Sequence, residues 1–313
     1  METIRRLDDL KPGLASVVTV GVFDGVHLGH QAIMRIVKAA AAEHAARSIV
    51  VTFDRNPQEL LCPAGSMPYI TTLRQKLALI SKQDMDVAVV LPLKQDLIDM
   101  PPEQFVSDVL HGKLRAIQLV VGTNFAFGKG RAGKVELLRQ MGQQLGFEVI
   151  AVSPIRADGI LVSSTVIRNL LADGKIEKAN GLLGRPFALE GKVAKGDGIG
   201  RALGYPTANI QPAEKQILPG KGVYAVSVNL ENDTWPGVAN VGVRPTFGGQ
   251  ERGVEVYIVG FSGNVYGQEL DIGFHARLRD EISFRDADAL KRQIGLDVEQ
   301  ALRLIGQGVC NQD

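Results

Sequence analysis

Before residue 184 the chain alternates between two hydrophobic rhythms, and after it only one remains. Runs rich in Val and Ile, ASVVTVGVF (Ala15–Phe23), SIVVTF (Ser48–Phe53), DVAVVLPL (Asp86–Leu93), IQLVVG (Ile117–Gly122) and FEVIAV (Phe147–Val152), have the length of strands. Between them apolar residues recur at helical spacing. In HQAIMRIVKAAAAEHAAR they are Ile33, Ile36, Val37 and Ala40, and in LRQKLALISKQ they are Leu73, Leu77 and Ile80. PPEQFVSDVL opens on proline, which a first helical turn tolerates. Strand and helix in alternation predict an α/β fold whose parallel sheet is covered on both faces and whose ligands bind beyond the carboxyl ends of the strands.

From GRPFALEGKVAKGDGIGRALGYPTANI onward the runs shorten, alternate and are split by Gly, Pro and Asn. GVYAVSVNL, TWPGVANVGV, GVEVYIVGF and QELDIGFHARL follow one another, which predicts a small antiparallel β-barrel or sandwich. The closing stretch DADALKRQIGLDVEQALRLI places Leu290, Ile294, Val298 and Leu302 along one helical face, expected to pack on that barrel. The change of rhythm divides the chain into two expected domains, 1–183 and 184–313.

Composition and charge remove several function classes. The 313 residues are 45% hydrophobic and 22% charged, ordinary for a globular protein with a sizeable core. The net charge is +1, and neither half carries the basic excess that binding a nucleic-acid backbone needs, so no nucleic acid is expected as a partner. Cys62 and Cys310 are far apart and form no CxxC pair, which argues against a disulfide framework or a zinc site. METIRRLDDLKPG lacks the apolar run of a signal peptide, and no uninterrupted apolar stretch of about 18 residues occurs. The expectation is a cytoplasmic protein with no membrane association.

The most informative stretch is VTVGVFDGVHLGHQAIM, Val18–Met34, which runs from a strand through a Gly-rich turn into a helix. Gly21, Gly25 and Gly29 permit tight turns and close approach of backbone to a ligand. The helix start offers N–H groups and a positive dipole end, suited to phosphate, and His27 and His30 add two imidazoles beside it. Donors aimed at an α-phosphate stabilise the charge that develops as pyrophosphate is displaced. Zinc fits less well, because protease histidines are four apart around a glutamate and no third ligand is evident.

GVFDGVHLGHQ resembles the signature of nucleotidyltransferases with an HxGH motif, specifically the FMN adenylyltransferase module of the bacterial bifunctional riboflavin kinase/FAD synthetase family. VTFDRNP (Val51–Pro57), VGTNFAFGKGRAG (Val121–Gly133) and SSTVIRNLLADGKIEKANGLLGRPF (Ser163–Phe187) match that module in the same order. The resemblance implies a Rossmann-like nucleotidyltransferase domain. In it His27 and His30 would act on the ATP phosphates with Phe23, Gly25 and Gly29 around them, Asn124 would hold flavin, and Ser164, Thr165 and Arg168 would bind the triphosphate. Hydroxyls at a helix N-terminus with an arginine one turn on are independently an anion site. One departure stands out. Where the family commonly reads FDPHP this chain has FDRNP, so Asn56 replaces a histidine; asparagine keeps hydrogen bonding but cannot carry a proton, and altered rate or flavin affinity is expected.

GDGIGRALGYPTANI, Gly196–Ile210, is the second informative stretch. Gly196, Gly198 and Gly200 do not complete a dinucleotide GxGxxG, because the third glycine would fall at Arg201, and no GxxxxGK[ST] occurs. A glycine-rich flap over ATP phosphates, with Arg201 supplying charge, fits the pattern. GDGIGRALGYPTAN, GVYAV, GVANVGVRPTFGG, VEVYIVGF, YGQEL and LRDEISF resemble, in order, the riboflavin kinase domain of the same family. That resemblance implies Thr207 and Asn209 beside metal and phosphates, Thr207 as a ligand of magnesium (Mg2+), and Glu255 as the base for the ribityl 5′-hydroxyl. Arg277 and Arg279 are candidates for the flavin or nucleotide site and equally for surface arginines. The implied enzyme makes FMN and then FAD from riboflavin and ATP with Mg2+, FMN and FAD being substrate and product rather than redox cofactors. The rivals are a kinase whose adenylyltransferase domain is impaired and a non-catalytic flavin-binding regulator. Oligomeric state is not legible.

Overall fold

The apolar runs of the first half line up side by side because each is too hydrophobic to leave either face in water. In the computed structural model, which describes residues 1–11, 13–57, 59, 67–194, 200, 204–230, 233–246 and 249–309, they form a six-stranded parallel sheet. Its strands are β1 (Glu2–Ile4), β2 (Ser16–Val20), β3 (Arg47–Phe53), β4 (Val87–Leu91), β5 (Ala116–Gly122) and β8 (Glu148–Val152). The order is β1-β4-β3-β2-β5-β8, with every pairing parallel. Two short hairpins pair β6 (Ala126–Phe127) with β7 (Gly133–Lys134) and β9 (Arg156–Ala157) with β10 (Ile160–Leu161).

Successive side chains of the central strands enter opposite cores, as the two-residue period of a strand requires. Val18, Val20, Ile49 and Val51 join Phe105, Val106, Val109 and Leu110 of the helical segment Pro102–Lys113 and Leu138 of α3 (Val135–Leu145). Val17 and Val50 face the other way, toward Met34, Val37, Ala40 and Ala41 of α1 (Leu28–Glu43) and Ile80 of α2 (Leu73–Ser81). Helices therefore cover both faces, as the alternation predicts. Two details differ. The run Ala15–Phe23 stops being strand at Val20, since Phe23 takes a left-handed φ of 51°, and the buried stripe of α1 centres on Met34, Val37 and Ala41, with Ile33 and Ile36 only half-buried.

The second half closes into a barrel. Strands β11 (Phe187–Ala194), β12 (Thr207–Pro212), β13 (Gly222–Leu230), β14 (Asp233–Thr246), β15 (Gly249–Ile258) and β16 (Glu269–Arg279) run β11-β12-β15-β14-β13-β16 and back to β11, every pairing antiparallel. Closure leaves no unpaired sheet edge. Phe187, Tyr224 and Phe274 are fully buried, their rings 5.4–5.9 Å apart along the chain of contacts. Strand β13 is buried on both sides, because α6 (Ala287–Val309) covers its outer face: Val223 and Ala225 meet Val298, Ala301 and Ile305. The expected helix face is thus rotated, and Leu302 lies 42% exposed.

The chain divides into two compact units, Met1–Met67 with Leu73–Ser163, and Pro68–Thr72 with Ser164–Asp313. Helices α4 (Ser164–Ala172) and α5 (Ile176–Leu183) belong to the unit that contains the barrel. In that unit Asn180 of α5 donates to the Phe274 carbonyl at 2.8 Å and accepts from the Phe187 N–H at 2.7 Å, tying the helix to two barrel strands.

Truncating the true packing face of α6 tests this arrangement. Ile305→Ala should cost about 2–3 kcal/mol in denaturant unfolding, whereas Leu302→Ala should change stability by less than about 0.5 kcal/mol.

Candidate functional site

The parallel strands of the first unit all end at the same edge, so their following turns share it. The turn after β2 is the most constrained. Phe23 and Val26 hold φ values of 51° and 39°, and Gly25 between them holds 83°. For a bulky or β-branched residue that conformation is strained, by about 1–3 kcal/mol each, and such strain gathers at working sites. Burial holds it in place: Phe23 is 3% and Val26 1% exposed, the Val26 N–H donates to the Phe23 carbonyl at 3.2 Å, and the Gln31 amide donates to the Val26 carbonyl at 2.9 Å.

This shape delivers the two histidines together. His27 is the N-cap of α1, its Nδ1 accepting from the His30 N–H at 3.3 Å, and a neutral ring that accepts there carries its proton on Nε2. The imidazoles stack with centroids 3.6 Å apart, and the Phe23 ring meets His30 edge-on at 5.1 Å. Gly29 sits close against this pair: a Cβ there would lie 3.2 Å from the His27 ring, so the ring would have to shift by a few tenths of an ångström. Next along the edge, the turn after β5 carries Asn124 at an exposed tip closed by a Phe125 N–H to Gly122 carbonyl bond of 2.9 Å. The segment after β3 holds Asn56, 8% exposed, its N–H on the Glu59 carboxylate at 3.1 Å.

Beneath the β2 and β3 turns lies Lys76 of α2, which the sequence reading did not single out. It is 6% exposed and donates to the carbonyls of Val22 at 3.2 Å and Phe53 at 2.8 Å. Burial pushes its ammonium down to about 8, against the opposing pull of the Asp24 and Asp54 carboxylates. Its position was legible: Leu73, Lys76, Leu77 and Ile80 have i, i+3, i+4, i+7 spacing, so the lysine stands on the apolar face of its helix.

In the second unit the barrel wall carries the other cluster. Val254 and Val256 are fully buried, so Glu255 between them projects from the opposite face of β15. Asn209 of β12 pairs directly with Glu255, and Thr207, one pleat along, donates its hydroxyl to Glu255 Oε2 at 3.4 Å. Gly200 comes close to them: a Cβ there would stand 3.1 Å from Thr207 Oγ1 and collide with the Tyr205 carbonyl oxygen. Tyr205 and Tyr257 meet edge to face at 5.2 Å on the same side. A hydroxyl, an amide and one carboxylate suit a hard cation that takes its remaining ligands from phosphate and water. Among the described residues no group of three or more His, Cys, Asp or Glu could hold a metal by itself.

Ser164, Thr165 and Arg168 occupy the first turn and a half of α4, with Thr165 exposed and Arg168 buried to 7%. Gly196, Gly198, Arg201, Cys62 and Cys310 lie outside the described residues. Arg279 is tied down: its guanidinium donates to both Asp297 oxygens at 2.8–3.1 Å and lies 5.7 Å from the Phe284 ring centroid. Asp297 is 3% exposed on α6, so the pair fastens that helix to β16, and losing either partner would leave a desolvated charge costing about 3–5 kcal/mol. Arg277 donates to the Lys221 carbonyl and pairs with Asp280 at 2.6 Å.

A parallel sheet with a histidine-bearing turn at its carboxyl edge, and a closed barrel with a hydroxyl–carboxylate pair, are parts suited to a nucleotide-using transferase. A family model described as FAD synthetase matches residues 12–166, and one described as riboflavin kinase matches residues 183–305. The chain is 39% identical over 306 residues to a bifunctional riboflavin kinase/FMN adenylyltransferase of Pseudomonas fluorescens, covering 97% of this chain and 98% of that one. It is 35% identical over 309 residues to the Escherichia coli K12 protein so described, covering 98% of both. A crystal structure of a Streptococcus pneumoniae protein described as a macrolide-efflux protein aligns with a TM-score of 0.86 at 29% identity, covering 96% of this chain and 97% of that one. The chain belongs to the bifunctional riboflavin kinase/FAD synthetase family. Among the described residues no helix is long and apolar enough to cross a membrane.

Gly29→Ala should displace the His27 ring and lower FAD formation from supplied FMN by about tenfold or more, with FMN formation from riboflavin unchanged, as read by chromatography of the flavins.

Proposed function

We propose that the two activities of the family are divided between the two clusters, with residues 184–313 as the kinase domain and 1–183 as the adenylyltransferase domain. The kinase phosphorylates riboflavin with ATP, giving FMN and ADP. The adenylyltransferase joins FMN to the AMP moiety of a second ATP, giving FAD and pyrophosphate. The observation that carries this reading is the presence on one chain of both constellations, the strained His27–His30 turn and the Thr207–Glu255 pair. Relatives matched over nearly their whole length are described as bifunctional, which favours this reading over a kinase with an impaired first domain or a non-catalytic regulator.

In the kinase, Glu255 accepts the proton of the ribityl 5′-hydroxyl as that oxygen attacks the γ-phosphorus. Its hydrogen bond from Thr207 orients the carboxylate. Thr207 and Asn209 would hold Mg2+, which when bound neutralises phosphate charge. Gly196, Gly198, Gly200 and Arg201 would serve the ATP phosphates, as the family resemblance implies, and Arg279, its guanidinium held by Asp297, would serve the flavin side of the kinase. In the adenylyltransferase, His27 and His30 donate to the phosphates of ATP, supported by Phe23, Gly25 and Gly29. The α-phosphorus is attacked directly by the FMN phosphate, so no covalent enzyme intermediate forms. Asn124 contacts flavin from its exposed turn, and Ser164, Thr165 and Arg168 bind phosphate at the start of α4. Asn56 contributes hydrogen bonds and no proton transfer. The substrates are the small molecules riboflavin, FMN and ATP; we place the enzyme in the cytoplasm, with neither nucleic acid nor membrane as partner.

Reciprocal substitutions test the division. With Mg2+ present, Glu255→Ala should cut FMN formation from riboflavin by about 100-fold or more while FAD formation from supplied FMN persists, and His30→Ala should do the reverse. Equal damage to both reactions by either change, in a folded protein, would refute the two-site assignment.

A further inference from the structure

The mechanism above leaves the buried Lys76 without a task. Lys76 is the residue that should not be inside: a lysine side chain is almost never fully buried without a reason, yet this one reaches through the apolar face of α2 to the sheet edge. Its two acceptors are not a random pair. The Val22 carbonyl belongs to the turn that carries His27 and His30, and the Phe53 carbonyl is the last of β3, immediately before Asp54–Pro57. Thr52 donates to the same Val22 carbonyl at 3.1 Å, so that oxygen is where the two turns meet.

We propose that Lys76 is a positioning residue for adenylyl transfer, its ammonium clamping the Val22 and Phe53 carbonyls so that the His27–His30 turn is held in register with the FDRNP segment. It touches neither substrate nor reacting atoms in this scheme. The inference rests on the reading of the β2 turn as the site of adenylyl transfer.

The charge on the clamp matters as well as its geometry. Asp24 on the β2 turn and Asp54 on the β3 turn act on the ammonium electrostatically; Asp54 also accepts the Leu93 N–H at 2.8 Å and has Arg55 at 3.8 Å. A protonated lysine makes charge-assisted bonds to both carbonyls and balances the two acids. The neutral amine makes weaker bonds and no longer offsets the charge of those acids. Because burial brings the group down to about 8, this loss falls within the working range of an enzyme: the clamp is charged below about pH 8 and is lost as pH rises through it. Unfolded, the same lysine stays charged to about 10.4, so the folded state alone feels the change.

Three proteins and one pH series decide the matter: wild type, Lys76→Met and His30→Ala, each assayed for FAD formation from FMN and FMN formation from riboflavin, with thermal melts to confirm folding. Lys76→Met should lower kcat for FAD formation by about 10- to 100-fold with a smaller change in KM for FMN, and leave FMN formation unchanged. Wild-type FAD formation should fall several-fold between about pH 7 and about pH 9.5 with an apparent midpoint near 8, and Lys76→Met should lack that limb. If His30→Ala is impaired while Lys76→Met keeps normal kcat, the positioning role is overturned and the site reading stands. If His30→Ala is unimpaired, the site reading falls and takes this inference with it. Should Lys76→Met fail to fold, the wild-type profile decides alone, and a flat rate through pH 8 overturns the proposal.

Discussion

Two left-handed residues that are not glycine, Phe23 and Val26, shape the turn that delivers His27 and His30, and the surrounding structure is arranged to hold them there. Neither would keep that conformation in an isolated peptide, where the strain would relax into an extended chain. Here β2 is anchored between β3 and β5 and fully buried along its length, so the strand cannot move to relieve the turn it feeds. The Phe23 and Val26 side chains are part of the core beside Met34 and Val37, which makes the turn and the packing of α1 one cooperative object. The stacked histidines are its consequence, with His27 buried and His30 half-buried beside it.

The barrel solves a different problem. Its interior is lined among the described residues by apolar and aromatic side chains such as Tyr224, Phe187 and Phe274, and its polar cluster stands on the outer face of the wall. Antiparallel register does this economically. Thr207, Asn209 and Glu255 come from two strands far apart in sequence, yet pairing of β12 with β15 puts them side by side on one face. Part of the remaining wall is covered by α6, held by Val298, Ala301 and Ile305 and by the Arg279–Asp297 pair. The helix therefore protects apolar wall at β13 and leaves the Thr207–Glu255 face to other duties.

Much of this was written in local pattern. Strand runs of Val and Ile, the proline opening Pro102–Lys113 and the glycines around His27 are each short-range signals, read from a few adjacent residues, and all five expected strands of the first unit formed. The short edge strand β1 was not visible, because three residues carry no period, and Leu302 was placed on the wrong side of α6, because a helix's apolar stripe is wide enough to be rotated by what it packs on. Motif residues were legible as a set, but not their contacts. Sequence order alone determined that His27 and His30 sit at a helix start and that Glu255 alternates with two valines. Only the tertiary structure decided that the imidazoles stack, that Thr207 reaches Glu255, that Arg279 is occupied by Asp297, and that Lys76 lies buried under two turns. The reason is physical: local periodicity sets which face of an element is apolar, whereas the partner of a polar group is chosen by elements brought together from distant parts of the chain, and its charge state by how much water that meeting excludes.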